Sequence, residues 1–126
     1  MNSDILAEKC ASLAWSKKGR EITILDVRKL TDMTDYFVVV SAESEPHAKA
    51  ITDHLEDELE KEKVKIWHKE GYKNLNWVLL DYIDVVVHIF RNHSRQYYDL
   101  EKLWGDAKIV RLEEDAEDRL VFTSEN

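Results

Sequence analysis

The chain has 126 residues, 44% of them hydrophobic and 35% charged, with a formal charge of −8, a balance that suits one globular domain around one core. A single cysteine, Cys10, excludes an internal disulfide framework and any multi-cysteine zinc or iron site, and it points to a reducing, cytoplasmic setting with Cys10 as a small core residue. An acidic chain is poorly suited to gripping phosphate backbones, no segment approaches the ~20 apolar residues of a membrane span, and MNSDILAEKC at the amino terminus has neither signal- nor transit-peptide character.

In chain order, Leu6, Cys10, Leu13 and Ala14 share one helical face, with Ser3 as candidate N-cap and Gly19 as terminator, so a first helix is predicted over about residues 4–18. EITILDV (21–27) alternates Ile22, Ile24 and Asp26 against Thr23, Leu25 and Val27, a strand pattern. YFVVVS (36–41) is apolar on both faces and reads as a central strand. Ser44 caps a second helix with Pro46 in its first turn, and Ala48, Ile51, Leu55 and Leu59 give that helix an apolar stripe to about residue 63. VKIWHK (64–69) alternates like a half-exposed or edge strand that Gly71 ends. Residues 76–82 and 85–90 are two strands joined at Ile83-Asp84, and Ser94 opens a short last helix to about Leu103, with Gly105 beyond it. The result is an α/β fold with a mixed five-stranded sheet and packed helices.

Charge is concentrated at the carboxyl end. Residues 113–126 hold six acidic side chains (Glu113, Glu114, Asp115, Glu117, Asp118, Glu125) and one basic, Arg119, leaving −5 there and −3 in residues 1–112. Such a chain is expected to touch protein rather than nucleic acid, and a basic protein is the electrostatically favoured partner.

In the strand from residue 76, Trp77, Leu79 and Asp81 share one face while Val78, Leu80 and Tyr82 share the other. The set containing Asp81 resists full burial without a charged partner, so Trp77 and Leu79 are assigned to the open face. Tryptophan and tyrosine beside aliphatics and a rim of carboxylates is the composition of an interface hot spot. Residue types alone leave a second reading open, a tryptophan covered by the chain's own last helix.

From Asn76 to Asp106 the chain reads NWVLLDYIDVVVHIFRNHSRQYYDLEKLWGD. The ordered set Trp77, Val78, Leu79, Leu80, Asp81, Tyr82, Asp84, Val85, Val86, Val87, His88, Phe90, Tyr98, Leu100, Leu103, Trp104 and Asp106 closely resembles the signature of the ribosomal silencing factor family, RsfS or Iojap. The resemblance runs from the first helix through Trp104 and includes Asp35-Tyr36-Phe37 with Ser41. It implies a domain over residues 1–112 with nucleotidyltransferase-like topology, followed by an acidic tail, 113–126, that lies outside the resemblance. It also implies a non-enzymatic repressor without cofactor or metal, bound to the large ribosomal subunit through a basic protein, universal large-subunit protein fourteen. There it would sterically block the small subunit, and free family members are often dimers. The implied contact set is Trp77, Leu79, Asp81, Tyr82 and Asp84, joined by His88 and Phe90. Trp104 and Leu103 are expected to lock the last helix onto the sheet, and Ile83 stands where the family commonly has glycine.

The related fold raises one alternative, a small nucleotidyltransferase-like enzyme holding a metal at the acidic turn. Ser41 lacks the neighbouring glycine that lets backbone approach a phosphate, and Asp81 and Asp84, three apart across a turn, are not expected to converge on one ion. His88, His93 and Asp99 form a weak candidate metal set without helical ligand spacing, and a hydrogen-bonded, semi-buried His88 is the favoured reading.

Overall fold

A computed structural model describes residues 1–125. One mixed sheet contains β1 (Arg20–Asp26), β2 (Tyr36–Ala42), β3 (His68–Glu70), β4 (Trp77–Asp81), β5 (Val85–Arg91), β6 (Lys108–Glu114) and β7 (Leu120–Glu125). Their spatial order is β3-β4-β5-β2-β1-β6-β7. β2 and β5 pair in parallel, with Val38 opposite Val87, and the other neighbours are antiparallel. These two central strands carry apolar residues in both directions because both sheet faces are covered there.

Two long helices, α1 (Ser3–Ser16) and α2 (Glu45–Lys61), cover one face. Their stripes, Leu6, Ala7, Cys10 and Ala14 from α1 and Ala48, Ile51, Leu55 and Leu59 from α2, meet Ile22, Ile24, Val38, Val40, Val78, Leu80 and Val87. Each fully buried aliphatic there contributes about 1.5–3 kcal/mol of transfer free energy. α2 starts as its residues dictate, with the Ser44 hydroxyl accepting from the His47 N–H at 3.2 Å and Pro46 in the first turn. α1 is capped at Asn2 rather than Ser3, without a side-chain bond. Lys18 takes the left-handed conformation that stops it (φ 63°), while Gly19 serves close packing: a Cβ there would lie 2.7 Å from Val40 Cγ1.

The opposite face carries a smaller core, Leu25, Val27, Val39, Phe90 and Leu100, flanked by Phe37, Trp77, Trp104, Ala107 and Ile109. Two short helices supply its cover, α3 (Asn92–Tyr98) and α4 (Leu100–Leu103). They replace the single last helix expected over residues 94–103. The chain breaks at Asp99, which adopts φ 44° and uses its carboxylate to accept from the Lys102 N–H.

The sheet has seven strands where five were expected. β6 and β7 form a hairpin on the outer side of β1, built from the charged end of the chain. An outermost hairpin needs an apolar residue only where it meets the core, and Leu112 meets that need at 5% exposure. The expected strand over 64–69 shrinks to the three residues of β3, since Val64 and Ile66 pack against the main core before the pairing with β4 begins.

Candidate functional site

Alternation along β4 sorts its side chains as the pleat requires: Val78 and Leu80 are buried under α1 and α2, whereas Trp77, Leu79 and Asp81 are partly exposed on the other face. α3 and α4 reach only one end of that face. Tyr98 of α3 meets the Trp77 indole at 4.5 Å between ring centroids, and Phe90 stacks beneath the indole at 4.9 Å. Across β5 and β2, Phe37 stands edge-on to His88 (5.0 Å) and to Trp104 (5.3 Å). The arrangement is an aromatic floor under a partly open stripe, Trp77–Leu79–Asp81. Beside it lies a cleft of about 640 Å³ whose lining includes Trp77, Asn76, His93, Tyr97 and Tyr98. Gly71, also in the lining, lies against the Trp77 backbone in the left-handed region (φ 81°), where a Cβ would lie 1.8 Å from the Trp77 carbonyl oxygen.

His88 is 4% exposed and is tied to this stripe: the Trp77 indole N–H donates to its Nδ1 at 3.0 Å. Because Nδ1 accepts, the neutral ring carries its proton on Nε2, which is buried without a partner among the described residues. Burial pushes the imidazolium pKa down from 6.5 to about 3. The unfolded chain therefore binds the extra proton throughout that window. Stability held by neutral His88 is complete above pH 6.5 and is lost as the pH falls toward 3. His88→Phe is expected to flatten the stability–pH curve between pH 6.5 and about 4, as read from urea midpoints across that range.

Of the residues expected to meet a partner, Trp77, Leu79 and Asp81 lie together on the open face and Asp84 is exposed at its turn. Tyr82, His88 and Phe90 leave that set, His88 as the buried acceptor of the Trp77 N–H. Tyr82 is 6% exposed within the helix-covered core, and Phe90 is fully buried as the platform under Trp77. Leu103 is 73% exposed, so Leu100 and Trp104, not Leu103, fasten the last helical turn. Tyr98, whose residue type left it open between partner contact and helix locking, lies on this face over Trp77, and Phe37 belongs to the face as well and was not singled out for it. Aromatic side chains on elements flanking a Trp-bearing strand were the available signal.

The β4–β5 turn shows what replaces the glycine. Ile83 adopts φ 76° in a two-residue loop closed by the Tyr82 N–H to the Val85 carbonyl at 2.9 Å. An Asp81 carboxylate oxygen accepts from the Ile83 N–H at 2.7 Å, and the Asp84 carbonyl accepts from the Asp35 N–H at 3.0 Å, so both ends are anchored. A β-branched residue in that region costs roughly 1–2 kcal/mol, partly offset by the chain entropy that glycine would lose. Ile83→Gly is accordingly expected to raise stability by about 0.5–1 kcal/mol, seen as a higher denaturant midpoint at unchanged slope.

Ser41, the residue that a nucleotide would need, is occupied. Its hydroxyl is buried and accepts from Arg95 Nη1 at 2.9 Å. The same guanidinium donates to the Glu21 carbonyl (2.6 Å) and to Thr23 Oγ1 (3.2 Å), with a longer contact to Glu101 at 3.4 Å. Arg95 thus pins α3 to β1 and β2 and holds Tyr98 over Trp77. Among the described residues no group of three or more His, Cys, Asp or Glu side chains converges as a metal site, and no helix is long and apolar enough to cross a membrane.

Comparison with known proteins gives one consistent likeness. A family model described as ribosomal silencing factor during starvation matches residues 1–125. The ribosomal silencing factor RsfS of Halalkalibacterium halodurans is 35% identical over 113 residues, which is 90% of this chain and 97% of that one. A mouse protein named mitochondrial assembly of ribosomal large subunit protein 1 is 32% identical over 99 residues, 74% of this chain and 42% of its own length. The crystal structure of a Chromobacterium violaceum protein superimposes with a TM-score of 0.81 at 33% identity, covering 83% of this chain and 88% of the other.

Proposed function

The chain belongs to the ribosomal silencing factor family, and from that membership and its open sheet face we propose that it represses translation by occupying the large ribosomal subunit where the small subunit must join. The family role is regulatory, not catalytic. The proposed partner is the basic universal large-subunit protein fourteen, met by the Trp77–Leu79–Asp81 stripe with Asp84 at its rim. One observation carries this reading: Trp77 and Leu79 remain partly exposed, beside an exposed Tyr98, over a floor formed by the buried Phe90 and His88. Rigid, pre-packed anchors lose little entropy on docking, and surrounding carboxylates suit a basic partner while the chain's −8 charge repels RNA.

No chemistry is needed for silencing of this kind. A domain of this length has a radius of gyration of about 14 Å, enough to fill the gap that an intersubunit contact must close. Leu79→Arg tests the face directly, because it places a cation against a basic partner while leaving the buried partners of β4 untouched. Co-sedimentation with isolated large subunits is expected to weaken at least about tenfold with an unchanged melting profile. Full-strength binding by Leu79→Arg would refute the assignment of this face.

A further inference from the structure

The two edges of the sheet are built differently. β3 is three residues long and wholly exposed as His68-Lys69-Glu70, with Lys69 held by Glu56 at 2.9 Å; it is short and charged, as protected edges are. β7 is twice as long. From Leu120 to Ser124 it has no charge and no proline, and it pairs with β6 in continuous register. Among the described residues nothing pairs with its outer side.

The hairpin's phase identifies the free backbone groups. The Asp115 N–H donates to the Arg119 carbonyl at 2.8 Å, so the alternate residues Val121 and Thr123 also direct their backbone groups toward β6. Leu120, Phe122 and Ser124 then direct theirs outward. Phe122 stands opposite Leu112 at the margin of the main core, and Leu120 and Phe122 are 43% and 37% exposed beyond it. An open hydrogen-bonding edge and an apolar strip therefore coincide on one strand.

We infer that the β7 edge is a docking site for an extended, lysine- or arginine-bearing segment of another protein, which joins the sheet as a further strand. Charge selects this occupant. Residues 108–125 hold six acidic and three basic side chains, and one of the basic ones, Arg119, is neutralised within the turn by Asp115 (2.9 Å) and Glu117 (3.4 Å). Self-pairing through β7 would bring two net-negative hairpins edge to edge, and nucleic acid would be repelled. Four strands separate β7 from β4, so this edge lies roughly 24 Å from the Trp77 stripe at ordinary strand spacing, and one surface does not exclude the other.

The test uses the full chain and a fluorescent, end-capped peptide, Lys-Val-Lys-Val-Thr-Lys-Val, beside the same peptide with Glu for Lys. Anisotropy is expected to show binding of the lysine peptide alone, weaker in added salt. Ser124→Pro removes one outward N–H without touching a β6 bond, and it should weaken binding about five- to tenfold. Phe122→Lys, which keeps that N–H but charges the strip, should weaken it as well. No lysine-peptide binding, equal binding of the glutamate peptide, or unchanged binding by both variants would overturn the inference. A concentration-dependent dimer that Ser124→Pro abolishes would overturn it in favour of a second copy of this chain.

Discussion

Trp77→Ala is expected to lower the unfolding free energy by about 2–4 kcal/mol and to abolish large-subunit binding in the same variant. The indole has two roles. Its inner face rests on Phe90 and Tyr98 at 4.9 and 4.5 Å, and its N–H satisfies His88 Nδ1; its outer face is the proposed anchor. Truncation opens a cavity in the smaller core and leaves a second nitrogen of His88 without its partner. Its place on the open face, read from sequence alone, would leave the fold intact on truncation; the packing beneath the indole is what changes that expectation. Trp77→Phe separates the two roles, since it keeps a stacked ring and loses the N–H. Chemical denaturation should give it less than half of the alanine loss, and co-sedimentation should show reduced but measurable binding. A fully stable Trp77→Ala variant would place the indole outside the core.

The second large effect is at Arg95, where Arg95→Met should cost about 2–4 kcal/mol. Methionine retains volume and hydrophobic contact but leaves the Glu21 carbonyl, the Ser41 hydroxyl and the Thr23 hydroxyl without their donor. Glu101 also loses its cation. Because this guanidinium holds α3 on the sheet, amide exchange should accelerate in residues 92–98 before it does in α1 or α2, and Tyr98 should loosen over Trp77. Subunit binding is expected to weaken through that loosening, with no contact from Arg95 itself. Unchanged exchange in α3 would show that Leu100 and Trp104 suffice to hold this end of the chain.

What could be read ahead of the structure followed periodicity. Ile22 and Ile24 turn toward α1 and α2, Leu25 and Val27 turn away, and the α2 stripe is buried as its spacing requires. The same alternation placed Tyr82 with Val78 and Leu80, correctly inside the main core; only the family resemblance drew it into the contact set. The last hairpin was obscured by its charge. Yet Val110 and Leu112, which face the main core, alternate with Ile109 and Arg111, and Asp115 caps the turn by accepting from the Glu117 and Arg119 N–H groups while Asp118 takes φ 59°. An aspartate that bonds backbone two residues ahead is a turn signal even inside an acidic run. Asp99 broke the last helix by a similar device. Arg95 was invisible for a different reason, because a buried cation is recognised only by the carbonyl and hydroxyls that distant strands bring to it.

The occlusion account is tested most directly by sedimentation of purified large subunits, mixed first with the protein and then with small subunits, with Leu79→Arg run in parallel. The account predicts stoichiometric co-migration with the large subunit and loss of joined ribosomes for the native chain, and normal joining with Leu79→Arg. Undiminished joining while the native chain remains bound would contradict it, because binding would then leave the small subunit's path open.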